Sequence, residues 1–129
     1  MKKYGYILIA VVLLAGIVYL IRTPGKPGQY DTFAQCLKDK GAVFYGAFWC
    51  PHCQAQKARF GKSAKLLPYV ECSTPDSRGQ LQICKDVGIT TYPTWHFTND
   101  VSTTTKVITG EVELVDLAKE TNCALPAIE

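Results

Sequence analysis

The stretch "AFWCPHCQAQKARF", residues 47–60, decides how this chain is read. Two cysteines stand two residues apart around Pro51 and His52, directly after an aromatic run. Four chemistries use such a pair: a haem attachment, a metal site, a structural disulfide and a reactive dithiol. Haem attachment needs a histidine directly after the second cysteine, and residue 54 is Gln. A structural zinc needs four ligands, and Cys72 and Cys84 are too far apart in sequence to form a second close pair. Two soft thiolates would suit Cu(I), so a copper-handling module stays open, as does a purely structural Cys50–Cys53 bond.

The reactive reading has a mechanism. A helix is expected from Pro51 to about Leu67, because proline suits a first turn and Cys53, Phe60, Ala64 and Leu67 form an apolar stripe. Cys50 then falls at the helix start, where unpaired N–H groups and the helix dipole favour a thiolate. Pro51 supplies helical φ, and a protonated His52 adds positive charge beside the sulfur. Cys50 would be the nucleophile and Cys53, one turn on, the resolving thiol of thiol–disulfide exchange.

The segments around this motif set the frame. Residues 42–49, "AVFYGAFW", read as a strand covered on both faces. Before it, Asp31 caps a helix through about Lys40, with Phe33 and Leu37 on one face and Gly41 as its stop. After it come a strand at residues 69–72, a turn and a short helix at 80–87. Two more strands, "PTWHFT" and "TTTKVIT", and a closing helix at 111–121 follow. Glu111, Glu113 and Asp116 suit the first turns of that last helix. This order predicts an α/β domain, a central mixed sheet with helices on both faces. His96, alternating with Trp95 and Phe97, reads as structural. Lys57, Arg59, Lys62 and Lys65 read as a solvated helix face.

The N-terminus is a different material. Residues 4–21 carry no charge and would make a helix about 27 Å long, close to the roughly 30 Å of a bilayer core. The run ends at "RTPGKPG", a poor cleavage site, so residues 1–22 are expected to be an uncleaved membrane anchor and 23–30 a Pro/Gly linker to a domain at 31–125. Charge flanking and six cysteines place the N-terminus in the cytoplasm and the domain outside it, in a periplasm or at a cell surface. The net charge of +3 resides around the anchor, in Lys2, Lys3 and Arg22. Past them Lys and Arg balance Asp and Glu, which argues against a nucleic-acid partner.

"FYGAFWCPHC" followed by "GITTYPTW" resembles the thioredoxin superfamily over nearly all of residues 31–122. The Pro51-His52 dipeptide resembles the DsbA type. The longer run from Gly41 to Trp95 is similar to the thioredoxin-like domain fused to bacterial and plant vitamin K epoxide reductase homologues. The resemblance implies a cis Pro93 beside the redox pair, with Trp49 and Tyr92 flanking a groove for substrate proteins bearing thiols or disulfides. It implies a structural Cys72–Cys84 disulfide, whose short loop would contribute about 3 kcal/mol. It also implies a membrane quinone-linked oxidase partner, of DsbB or vitamin K epoxide reductase type. No cofactor or metal is expected. Cys36 and Cys123 are left over near the two ends of the domain, where pairing them would staple its termini. Thioredoxins carry a buried acid six positions before the first cysteine; here that position is Phe44, which weighs against a general reductase. The expected activity is thiol–disulfide exchange that forms disulfides in substrate proteins, and the reverse, reducing direction stays open on the same fold.

Overall fold

The computed structural model describes residues 2–22, 26–98 and 103–127; the first part of the expected linker, residues 23–25, falls outside them. The chain begins with helix α1, Lys2–Arg22. Its apolar window, Tyr4–Ile21, has a mean hydropathy of 2.5 and no residue buried against the rest of the protein. By length and composition this helix can cross a membrane, and a signal sequence would pass the same test.

The domain then runs α2 (Asp31–Asp39), β1 (Ala42–Gly46), α3 (Pro51–Phe60), a 3₁₀ segment (Gly61–Leu66), β2 (Tyr69–Glu71), α4 (Gln82–Asp86), β3 (Thr94–Thr98), β4 (Thr104–Thr109) and α5 (Leu114–Thr121). The expected order of elements is present. The four strands form one mixed sheet in the order β2-β1-β3-β4. β1 pairs parallel with β2, opposing Phe44 to Tyr69, and antiparallel with β3, opposing Phe44 to Trp95.

Strand alternation divides the interior in two. Ala42 and Phe44 point into the larger cluster, with Phe33 and Leu37 of α2, Cys53 and Phe60 of α3, Trp95, and Leu117 of α5. Tyr45 points into a smaller cluster on the opposite face, with Cys72, Cys84 of α4 and Ile89. Aromatic rings tie the large cluster together: Phe33 stacks on Phe60 at 5.9 Å, and Phe44 on Trp95 at 4.8 Å. His96 is buried against Tyr45, and burial lowers its pKa, in keeping with a structural role.

Several boundaries differ from the sequence reading, each for a local reason. β1 ends at Gly46, three residues before Trp49, because the chain must turn there to start α3. Phe48 and Trp49, expected to be covered, are 46% and 48% exposed. α3 ends at Phe60: Gly61, at φ +52°, breaks the helix, and the chain winds on as 3₁₀ to Leu66. Asp31 is the first residue of α2 rather than its cap, and its carboxylate accepts the Gly28 N–H at 2.9 Å. α4 is shorter than expected, and α5 starts at Leu114, so Glu111 precedes it.

The four remaining cysteines are paired. Cys72 bonds to Cys84, with Cα atoms 5.6 Å apart, inside the smaller cluster. Cys36 bonds to Cys123, Cα atoms 5.9 Å apart, and joins α2 to the chain just past α5.

Candidate active site

The site is built where β1 hands over to α3. The Cys50 N–H donates to the Ala47 carbonyl at 3.0 Å, closing a tight turn. The Cys50 carbonyl then accepts the Gln54 N–H at 3.1 Å, the first bond of the helix. Cys50 is the N-cap, with extended φ/ψ, and Pro51 is the first helical residue. The Gln54 side chain returns to the Phe48 carbonyl at 2.8 Å and holds the turn. Cys50 and Cys53 are both free thiols, 5% and 1% exposed.

Their surroundings differ. The Cys50 sulfur faces the Tyr92 carbonyl at 3.8 Å, and the Tyr92–Pro93 bond is cis. Trp49 stands edge-on to Tyr92, ring centroids 6.2 Å apart, and its indole N–H donates to Ser73 at 2.7 Å. Tyr92 is fixed from behind by Gln80, whose amide donates to the Tyr92 hydroxyl at 2.9 Å and the Ile89 carbonyl at 2.7 Å. Two stretches 42 residues apart, Trp49-Cys50 and Tyr92-Pro93, therefore meet at one end of the central strands β1 and β3, beside the exposed Phe48.

Cys53 faces inward. Its sulfur lies against Gly46, where an added Cβ would come within 2.8 Å of it and 3.0 Å of the Tyr69 ring. Burial pushes the Cys53 thiol up to about 12, and its neighbour Cys50 adds to the rise, while the Ala47 backbone and the Lys57 ammonium pull it down. Phe44 fills the space where a buried acid could have stood, packed between Trp95 and Tyr69.

His52 points outward, with its Nδ1 2.8 Å from Glu111. Arg59 braces the other Glu111 oxygen at 3.2 Å and donates to both oxygens of Glu113, at 2.6 and 2.7 Å. His52, and after it Arg59, holds the Glu111 carboxyl below its usual range. Arg59 is thus an ion-pair partner, contrary to the expected solvated face. Lys57 departs from that face too, its ammonium held 3.3 Å over the Tyr69 ring in a cation–π contact. The Tyr69 hydroxyl donates to Glu71 at 2.7 Å, and Glu71 accepts the Ser73 N–H at 2.8 Å and the Phe48 N–H at 3.2 Å.

One buried residue went unmarked in the sequence. Gln56 donates to the Val112 carbonyl at 3.0 Å and accepts the Val112 N–H at 2.7 Å, joining α3 to the segment before α5. A signal was present: Gln56 is the polar member of the stripe between Cys53 and Phe60. Among the described residues, no group of three or more His, Cys, Asp or Glu side chains converges as a metal site.

The thioredoxin family model matches residues 26–122. Thiol-disulfide oxidoreductase LTO1 of Arabidopsis thaliana is 45% identical over 97 residues, covering 71% of this chain and 24% of that protein, so this chain spans about a quarter of that relative's length. Among solved structures, thioredoxin f2 of Chlamydomonas reinhardtii is 19% identical, with a TM-score of 0.47 over 73% of this chain and 92% of that one. A thioredoxin of Malassezia sympodialis is 20% identical, with a TM-score of 0.46 over 71% of this chain and 84% of that one. From the motif through the mixed sheet to the family match over residues 26–122, the chain belongs to the thioredoxin family.

Proposed function

We propose that this chain is a membrane-tethered thiol–disulfide oxidoreductase that introduces disulfides into substrate proteins outside the cytoplasm. The observation that carries the reading is the asymmetry of the two free thiols. Cys50 caps a helix N-terminus against the Tyr92 carbonyl, and Cys53 is sealed one turn behind it. A substrate thiolate attacks the Cys50 sulfur of the Cys50–Cys53 disulfide, and Cys53 leaves as a thiolate that takes up a proton. A second substrate thiolate then attacks its own half of the mixed disulfide and releases Cys50. Two electrons pass from substrate to the pair, and reoxidation must remove them. The N-terminal helix would hold the domain near a quinone-linked membrane oxidase of DsbB or vitamin K epoxide reductase type, raising its effective concentration there.

Three observations support this direction and place. His52 lies between the cysteines, in the dipeptide that resembles the DsbA type. Phe44 puts no carboxylate behind Cys53. The other four cysteines are all paired, as befits an oxidising compartment. Pro51 shapes the helix start, while Trp49, Tyr92 and Pro93 form the edge against which a substrate backbone would lie. The name of LTO1, a thiol-disulfide oxidoreductase, agrees with the chemistry.

The test is the reduction potential of the Cys50–Cys53 pair in the full chain, in detergent, equilibrated against glutathione. The expected value lies at about −120 to −180 mV, that of a disulfide donor; a value near −270 mV would make the chain a reductant instead. Trapping with Cys53→Ser, which leaves the mixed disulfide unresolved, should capture both substrates and the membrane oxidase.

A further inference from the structure

Cys53 is a sulfur that exchange must ionise, and its burial makes that ionisation hard. In either direction of transfer a Cys53 thiolate appears, as nucleophile when the mixed disulfide is resolved or as leaving group when the pair is opened. Burial opposes that charge, and Phe44 offers nothing polar.

The structure supplies a different group. Lys57 is four residues after Cys53 on α3, so the two side chains share one face of the helix. Its ammonium is held 3.3 Å over the Tyr69 ring, a cation–π seat. An edge atom of that same ring and the Cys53 sulfur both border the space over Gly46, which a Cβ would fill at 3.0 and 2.8 Å from them. Glu71 completes the seat by accepting the Tyr69 hydroxyl, and is itself fixed by the N–H groups of Phe48 and Ser73. Among the described residues, the titratable groups around Cys53 are Cys50 just before α3, Lys57 on α3 and, from β2, Tyr69 with Glu71 behind it; β1 faces the sulfur with Gly46. The other cations nearby are engaged or outside: Arg59 binds Glu111 and Glu113, and Lys62 and Lys65 are exposed on the 3₁₀ segment.

We propose that Lys57, seated on Tyr69 and Glu71, is the positioning residue whose ammonium stabilises the Cys53 thiolate during exchange. This rests on the two-cysteine exchange proposed above but is independent of its direction. In the resolving step the Cys53 proton passes to solvent. The new thiolate attacks the Cys50 sulfur, forms the Cys50–Cys53 bond and expels the substrate thiolate, which takes up a proton. Lys57 remains an ammonium throughout. Its attraction to Cys53 agrees with the downward pull it exerts on that thiol.

The test uses the full reduced chain in detergent, mixed with a chromophoric aryl disulfide in a stopped-flow instrument. Attack by Cys50 releases one aryl thiolate, and resolution by Cys53 releases a second, so the two steps are read separately. In Lys57→Met and Lys57→Gln the second release should slow by about tenfold or more across neutral and mildly alkaline pH, the effect of moving a thiol pKa by about one unit. The first release should not change. Nor should the potential at neutral pH, because the reduced Cys53 is protonated there with or without Lys57. Lys57→Arg, which keeps the charge, should restore the second release. An unchanged second release in either neutral variant, once folded, overturns the proposal. So does an Arg variant as slow as the Met variant, which would assign the effect to packing. A wild-type chain with no second release at all would refute the exchange reading itself, and this inference with it.

Discussion

The bond between Cys36 and Cys123 lends itself to a quantitative test. It closes a loop with a sequence separation of 87 residues and so excludes most of the open conformations of the unfolded domain. In the chain-entropy treatment a loop of that length contributes about 4.6 kcal/mol at room temperature. The Cys72–Cys84 bond, with a separation of 12, contributes about 2.8 kcal/mol by the same formula. The longer bond is the cleaner subject, because Cys72 and Cys84 are completely buried and replacing them would add a cavity cost. The double substitution Cys36→Ala with Cys123→Ala should therefore remove about 4–5 kcal/mol, a large share of the roughly 5–15 kcal/mol that keeps a domain folded. The midpoint of thermal unfolding should fall by about 20 °C. Guanidinium unfolding of the full chain in detergent, without reductant and followed by fluorescence of the buried Trp95, measures the loss. The denaturant slope should also rise, since a chain freed of the bond exposes more surface when unfolded. A loss below about 1.5 kcal/mol with an unchanged slope would refute the entropic reasoning.

Two further outcomes test the architecture of the site. Glu111→Gln removes a carboxylate whose pKa is held below its ordinary 4.5 by His52 and Arg59; a depressed acid stabilises above its unfolded pKa and loses that contribution as pH falls through the folded one. The variant should thus be less stable than the wild type at neutral pH, with the gap closing as the pH is lowered past that value, as urea midpoints at acid and neutral pH will show. Gly46→Ala places a Cβ within 2.8 Å of the Cys53 sulfur and 3.0 Å of the Tyr69 ring, and should cost about 1–3 kcal/mol in urea unfolding.

The fold was largely legible because its signals are local. The pattern of Phe33 and Leu37, the apolar run from Ala42, the stripe through Cys53 and Phe60, and the Thr-rich β4 each declare an element without reference to the others. The misread positions are those where a distant partner overrides local pattern. Phe48 and Trp49 continue an apolar run, yet the turn into α3 lifts them out of the sheet. Glu111 suits a helix start, yet it lies before α5, drawn to His52 and Arg59 of α3. Lys57 and Arg59 read as surface charge, because nothing nearby in sequence names Tyr69 or Glu113 as their partners. Within the site the cysteine motif is self-announcing, whereas Gln56, Gln80 and Glu71 act through backbone groups, and backbone groups leave no trace in residue identity.

The joining of Cys36 to Cys123 also has a mechanical meaning. It turns everything between those residues, the whole sheet and both free thiols included, into a closed covalent ring. A pull applied to the chain on either side of that ring runs through the sulfur–sulfur bond and bypasses the strands. The redox pair and the sheet beneath it therefore carry no load when the outer segments are pulled.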